Sequence, residues 1–179
     1  MIKVTDLKEK YLPQEVIGEQ VTVIRVSYKD VLETNSKGKE VATGLGEWKE
    51  EVIYGEVTPE LVKKIRLQEL AVRDTSAEIN EFSFYGVKMW FGDADRSKLS
   101  KRFATDEADG KDNTKIVFDN SVYTLPVSDA KVMLHQIESY ARDCFDQTNL
   151  HRQSISDLDS VEDLLAYDIT AGYPPKLEF

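Results

Sequence analysis

Three observations predict an α+β fold. β-Branched residues crowd 21–28 (VTVIRVSY), two pairs of short aromatic-bearing stretches flank turn dipeptides between 79 and 126, and apolar residues recur at helical spacing from 133 to 155. The expected architecture is an N-terminal β unit, a connector helix, then two short β-hairpins packed under one long helix, with a short C-terminal helix at the end. Residues 1–57 make the β unit, 58–78 the connector and 79–179 the C-terminal α+β module.

The strand at 21–28 follows from its β-branched content, because such side chains pack well on a pleated surface. The segment 33–47, ETNSKGKEVATGLGE, is polar and carries Gly38, Gly44 and Gly46, so it reads as a long, mobile hairpin loop. WKEEVIYGEV (48–57) reads as the second strand, with imperfect alternation. Thr58-Pro59-Glu60-Leu61 is a helix start: a capping threonine, a proline whose missing N–H costs nothing there, and an acid near the positive helix end. Leu61, Ile65 and Val72 are expected on its inner face, and Asp74-Thr75-Ser76 should end it.

From Ile79 onward EFSFY and KMWF flank Gly86-Val87, and KIVFD and VYTLPV flank a turn at Asp119-Asn120, which gives two hairpins. Between them a helix is expected over 95–104 with Leu99 and Phe103 facing inward. Ser128-Asp129 opens the longest helix, with Met133, Ile137, Tyr140, Ala141, Cys144, Thr148 and Ile155 on its buried stripe. A short helix over 161–167 is capped by Ser160, and Pro174 and Pro175 stop any helix in the tail.

Composition limits function. The chain has 179 residues, 41% hydrophobic and 31% charged, enough for one domain or a small one with an appended module. Its formal net charge is −10, from 33 acidic and 23 basic residues. That balance disfavours nucleic acid, whose binding rests on cationic groups displacing counterions, and Lys98, Lys101 and Arg102 are hemmed in by Asp93, Asp95, Asp106 and Glu107. A single cysteine, Cys144, excludes an intrachain disulfide. No apolar run reaches signal-peptide length or the roughly 20 residues that span a bilayer, so the expectation is a cytoplasmic chain or one inside an assembly built there.

Two acidic clusters, GDADRSKL (92–99) and DEADGKDN (106–113), invite a calcium-loop reading. Such a loop needs oxygen ligands at positions 1, 3 and 5, glycine at 6 and glutamate at 12. Counting from Asp93 puts Lys98 at 6 and Ala104 at 12; counting from Asp106 puts Ala108 at 3 and Lys111 at 6. Both registers fail, so Asp93 or Asp95 is read as a helix cap and Gly110 as the left-handed residue of a solvated turn. Cys144 and His151 share a helix face but lie about 10 Å apart along the axis, too far for a thiol–imidazole bond. His135 and His151 fall on nearly opposite faces. No HExxH, GxSxG, CxxC or phosphate-loop pattern occurs. No catalytic, cofactor-binding or metal residue is therefore assigned, and no cofactor is expected. Tyr85, Trp90, Phe91, Phe118 and Tyr123 are read as half-buried sheet residues rather than as a ligand platform.

The order of features over 79–177 resembles a domain of unknown function found in tailed bacteriophages and prophages, often at the end of tail-fibre or other tail-associated proteins. The likeness is carried by INEFSFYGVKMWFGDADRSKL, by LPVSDAKVMLHQIESYARDCFDQTNLHRQSI and by SVEDLLAYDITAGYP. It includes an aromatic-ended hairpin followed by Asp-x-x-x-Arg-x-x-Leu; the counterparts here are Asp93 or Asp95 with Arg96 and Leu99, the aspartate standing closer to Arg96 than the pattern has it. The whole chain also looks like Bacteroides-type phage proteins. The resemblance implies a non-enzymatic tail or virion-associated structural protein, or an assembly factor for one, acting through protein–protein contacts. Its partners would be other phage tail or virion proteins, with homo-oligomers left open and neither nucleic acid nor membrane involved. Its place would be the virion, or the host bacterial cytoplasm during assembly. Candidate contact residues are Lys37 and Lys39 in the expected loop, and Tyr173, Pro174, Leu177 and Phe179 near the C-terminus; Leu177 and Phe179 would dock on their own domain or on a neighbour. The alternatives are a glycan- or peptide-binding tail module, which requires an exposed Trp90, and a carboxylate-dependent hydrolase.

Overall fold

A computed structural model describes residues 2–7, 13–16, 21–34 and 39–179. In chain order the elements are β1 (Ile2–Leu7), β2 (Gln14–Val16), β3 (Val21–Thr34), β4 (Glu40–Tyr54), α1 (Pro59–Asp74), β5 (Phe82–Phe84), β6 (Val87–Met89), α2 (Asp93–Ala108), β7 (Asn113–Phe118), β8 (Ser121–Pro126), α3 (Val127–Asp157) and α4 (Val161–Ala166). The class is α+β. The chain divides into two units, Met1–Val72 with His151–Ile169, and Arg73–Leu150 with Thr170–Phe179. These boundaries differ from 1–57, 58–78 and 79–179, because both units draw on separated stretches of sequence.

In the first unit four antiparallel strands take the order β1-β4-β3-β2. Ile24, Val26 and Ile53 pack on Ile65 of α1, with Val57, Leu61 and Leu165 at the edge of the cluster. Val62 and Leu70 of α1 meet Ile155, Leu164 and Ile169 in a second cluster. The segment 58–78 is therefore not a free-standing connector: most of α1 belongs to the core of this unit. Its buried face is Val62, Ile65, Arg66, Glu69 and Leu70, while Val72 is 46% exposed, contrary to expectation. The inward Arg66–Glu69 ion pair explains the difference, since two charged residues break up the apolar periodicity that marks a buried face. The Arg66 guanidinium also donates to the Tyr167 carbonyl, which satisfies part of its buried donor set. The helix starts conform to the reading: Thr58 Oγ1 accepts from the Leu61 amide at 3.4 Å and Ser160 Oγ from the Asp163 amide at 3.0 Å.

The long loop at 33–47 is corrected. β3 runs to Thr34 and β4 begins at Glu40, so most of the stretch is paired strand, with Leu32 opposite Ala42 and Thr34 opposite Glu40. Glycines at 44 and 46 suggest a loop, yet Val41, Thr43 and Leu45 keep the alternation of a strand.

In the second unit both hairpins turn on two left-handed residues, Tyr85 (φ 48°) with Gly86 (φ 79°), and Asp119 (φ 45°) with Asn120 (φ 62°), the backbone that matches strand twist. Phe82, Phe84, Met89, Phe91, Ile116 and Leu125 from the hairpins and Phe103 from α2 pack against Ala130, Met133, Leu134 and Ile137 of α3. Farther along α3, Tyr140 and Cys144 close over Ile79. The cap expected from Asp93 or Asp95 is corrected: the N-cap is Gly92, in extended backbone, with no side-chain cap bond. Both aspartates lie inside the first turn, where their charge still favours the positive helix end. α2 also runs on to Ala108, so the start of DEADGKDN is its last turn, and Gly110 (φ 69°) leaves it in the left-handed region.

Candidate functional site

Within the acidic clusters Asp106 serves packing, whereas Asp93 and Asp95 are exposed. Asp106 is buried and accepts from Thr114 Oγ1 at 2.6 Å and Lys111 Nζ at 2.7 Å, clasping the end of α2 to β7. The Lys111 hydrogen bond, then that of Thr114, holds its carboxyl below the usual aspartate range. Asp93 and Asp95 pair within α2 with Arg96 at 3.6 Å and Lys98 at 3.3 Å. Among the described residues no group of three or more histidine, cysteine, aspartate or glutamate side chains is placed to hold a metal ion. The sequence alone puts Asp106 in a solvated turn; its inward direction is set by Thr114 of β7.

Cys144 is buried beside Tyr140 and Ile79, and burial pushes its thiol up, away from the reactive thiolate. His151 is buried with Nδ1 2.8 Å from the Tyr167 hydroxyl. Trp90 is half-buried, its ring 5.7 Å from the Arg96 guanidinium and 6.2 Å from the Tyr140 ring. Phe91 is buried, Phe118 and Tyr123 half-buried, whereas Tyr85 at the hairpin tip is 72% exposed. A cleft of about 460 Å³ in the second unit is bordered by Asn80, Trp90, Asp93, Arg96, Glu138 and Arg142. Its floor is internally engaged: Arg96 donates to the Phe91 carbonyl at 2.8 Å, and its Nε faces Glu138 at 3.1 Å without hydrogen-bond alignment. Arg142 pairs with Asp143 at 2.9 Å.

The candidate contact residues near the C-terminus are brought together on their own unit. Tyr173 Oη lies 3.0 Å from Thr148 Oγ1 and its ring lies under Arg73, 5.3 Å from centroid to guanidinium. Pro174 is half-buried and Pro175 exposed. Residues 177–179 then run parallel to β5: Ser83 N donates to the Leu177 carbonyl, Phe179 N to the Ser83 carbonyl and Tyr85 N to the Phe179 carbonyl, each at 2.9 Å. Alternation turns Leu177 and Phe179 onto the core and leaves Glu178 exposed. Lys176 fixes the approach through the Ala77 carbonyl at 2.7 Å and Glu81 at 3.1 Å. The apolar-x-apolar pattern of LEF was the available sign of a strand, but three residues are too short for a periodicity argument.

Lys37 lies outside the described residues. Lys39 is exposed just before β4. Here the structure presents a two-stranded arm that the sequence hid. β1 covers β4 from Leu45 to Glu50, and β2 covers β3 from Thr22 to Ile24. Past Leu45 the described pairing is between residues 32–34 and 40–42, after register irregularities between Val26 and Lys29 and between Asp30 and Leu32. Such bulges sharpen strand twist. The arm exposes Leu32 (50%) and Val41 (43%), and Thr43 Oγ1 donates to the Val31 carbonyl at 2.8 Å.

Comparison with family models, with curated proteins and with solved structures returned no match. Among the described residues, no helix is long and apolar enough to cross a membrane.

Proposed function

We propose that this chain is a non-enzymatic bacteriophage tail or virion-associated component, or an assembly factor for one, that acts through protein–protein contacts. The reading rests on the sequence resemblance over 79–177, and the observation that supports it best is the β3–β4 arm. Leu32 and Val41 project into solvent from a strand pair that extends past its described neighbours, and exposed apolar side chains on a strand ribbon suit pairing or packing with another chain. The packing roles of Cys144, His151 and Asp106 add to it, because each candidate reactive group is engaged inside its own unit.

Mass spectrometry of purified particles and of tail-assembly intermediates tests the reading, with the chain expected in one or both. Leu32→Asp combined with Val41→Asp is expected to remove it from those fractions while each substitution changes the unfolding free energy by no more than about 0.5 kcal/mol, since both sites are exposed. Recovery only as free protein, without any particle or tail partner, counts against the proposal.

A further inference from the structure

We infer that residues 176–179 are an exchangeable strand: the same segment of a second copy seats on β5, and two copies trade strands to form a dimer. The seat is a defined slot. It offers the Ser83 and Tyr85 amides and the Ser83 carbonyl to an extended backbone, and an apolar surface to alternate side chains. Phe179 meets Phe82 edge-on at a centroid distance of 5.7 Å and lies 6.5 Å from Phe84. The Ala77 carbonyl and Glu81 receive a lysine one residue before the first apolar anchor. The slot thus reads Lys-Leu-x-Phe, and a second copy carries that sequence by necessity.

The hinge is equally defined. Tyr173 is anchored by Thr148 and Arg73, and the strand begins at 177. Between them Pro174 and Pro175 have no amide hydrogen to donate and hold φ near −65°, so this short connection is an extended rod with few internal bonds to break. Every contact of the closed monomer is reproduced in the exchanged dimer, which leaves chain entropy and hinge geometry as the difference between them. Seating within one chain needs no encounter with a second, so the closed form prevails in dilute solution and exchange grows with concentration or crowding in an assembly. This inference goes beyond the proposed function and does not depend on it.

Cysteine trapping tests it, because Ser83 and Glu178 are directly bridged neighbours in the parallel pair, within the spacing a disulfide tolerates. One full-length chain carries Ser83→Cys, another Glu178→Cys, and a third carries both; neither site is buried, so the fold is retained. Concentrated single-substitution chains are mixed, incubated and oxidised with oxidised glutathione. The expected result is a two-chain disulfide product that increases with concentration, while the doubly substituted chain oxidised in dilute solution links within itself and stays a monomer. The inference is overturned if the double variant links internally but the mixed chains give no more two-chain product than Ser83→Cys mixed with Lys101→Cys, a cysteine on the exposed face of α2.

Discussion

At the level of single residues, Gly46 shows how a close approach selects an amino acid. A Cβ built there would stand 2.5 Å from the Tyr28 ring, which itself stacks on Trp48 at 6.4 Å. Gly46→Ala should therefore cost about 1–3 kcal/mol by overpacking. It should also shift the Trp48 emission, read by fluorescence-monitored denaturation in a Trp90→Phe background. An unchanged midpoint and emission would show that the ring yields freely. Glu81 gives a pH-dependent case. Its hydrogen bond from Lys176, the largest influence, with Lys88 also nearby, holds the carboxyl below the usual glutamate range. A depressed folded pKa means that this stabilisation is present above the unfolded value of about 4.3 and lost as pH falls through the folded one. Melting temperatures of the parent and Glu81→Gln should differ at pH 7 and converge in acid below the ordinary glutamate pKa; an offset constant across pH would remove the ion pair as its cause.

At the level of elements, α3 is the part most plainly written in the sequence. Met133, Ile137, Tyr140, Cys144, Thr148 and Ile155 are all buried, because a long run of spacings at three, four and seven leaves one face for the core. That face also holds His151, whose polarity hides it from an apolar count although its ring packs against Tyr167. Ile155 is fully buried among Val62, Leu70, Leu164 and Ile169, so Ile155→Ala should cost about 2–5 kcal/mol in equilibrium denaturation. The hairpins were legible for a different reason: Gly86 and the Asp119-Asn120 pair tolerate positive φ and so mark the turns. The β3–β4 arm was not legible. Glycines at 44 and 46 signal a loop locally; Gly44 (φ 79°) does sit at the register irregularity, but pairing of Gly46 with Asp30 and Asp6, each more than ten residues away, holds the stretch in a strand.

At the level of the whole chain, the decisive fact is that each unit is assembled from separated stretches. The sheet core of Ile24, Val26 and Ile53 is completed by Ile65 and Leu165, neither of which lies in residues 1–57. A fragment of residues 1–57 should therefore lack a closed core, and its amide proton spectrum should be poorly dispersed; sharp, native-like dispersion would show that the sheet stands alone. Composition, periodicity and turn chemistry determined the α+β class, the helix starts at Thr58 and Ser160, the two hairpins and the stripe of α3, since these depend on neighbours within a few residues. Tertiary structure decided that α1 belongs to the sheet core, that residues 177–179 add a strand to β5 and that 40–47 are part of β4. Each of those depends on a partner distant in the chain, and local propensity carries no information about which distant backbone or side chain will satisfy a given group.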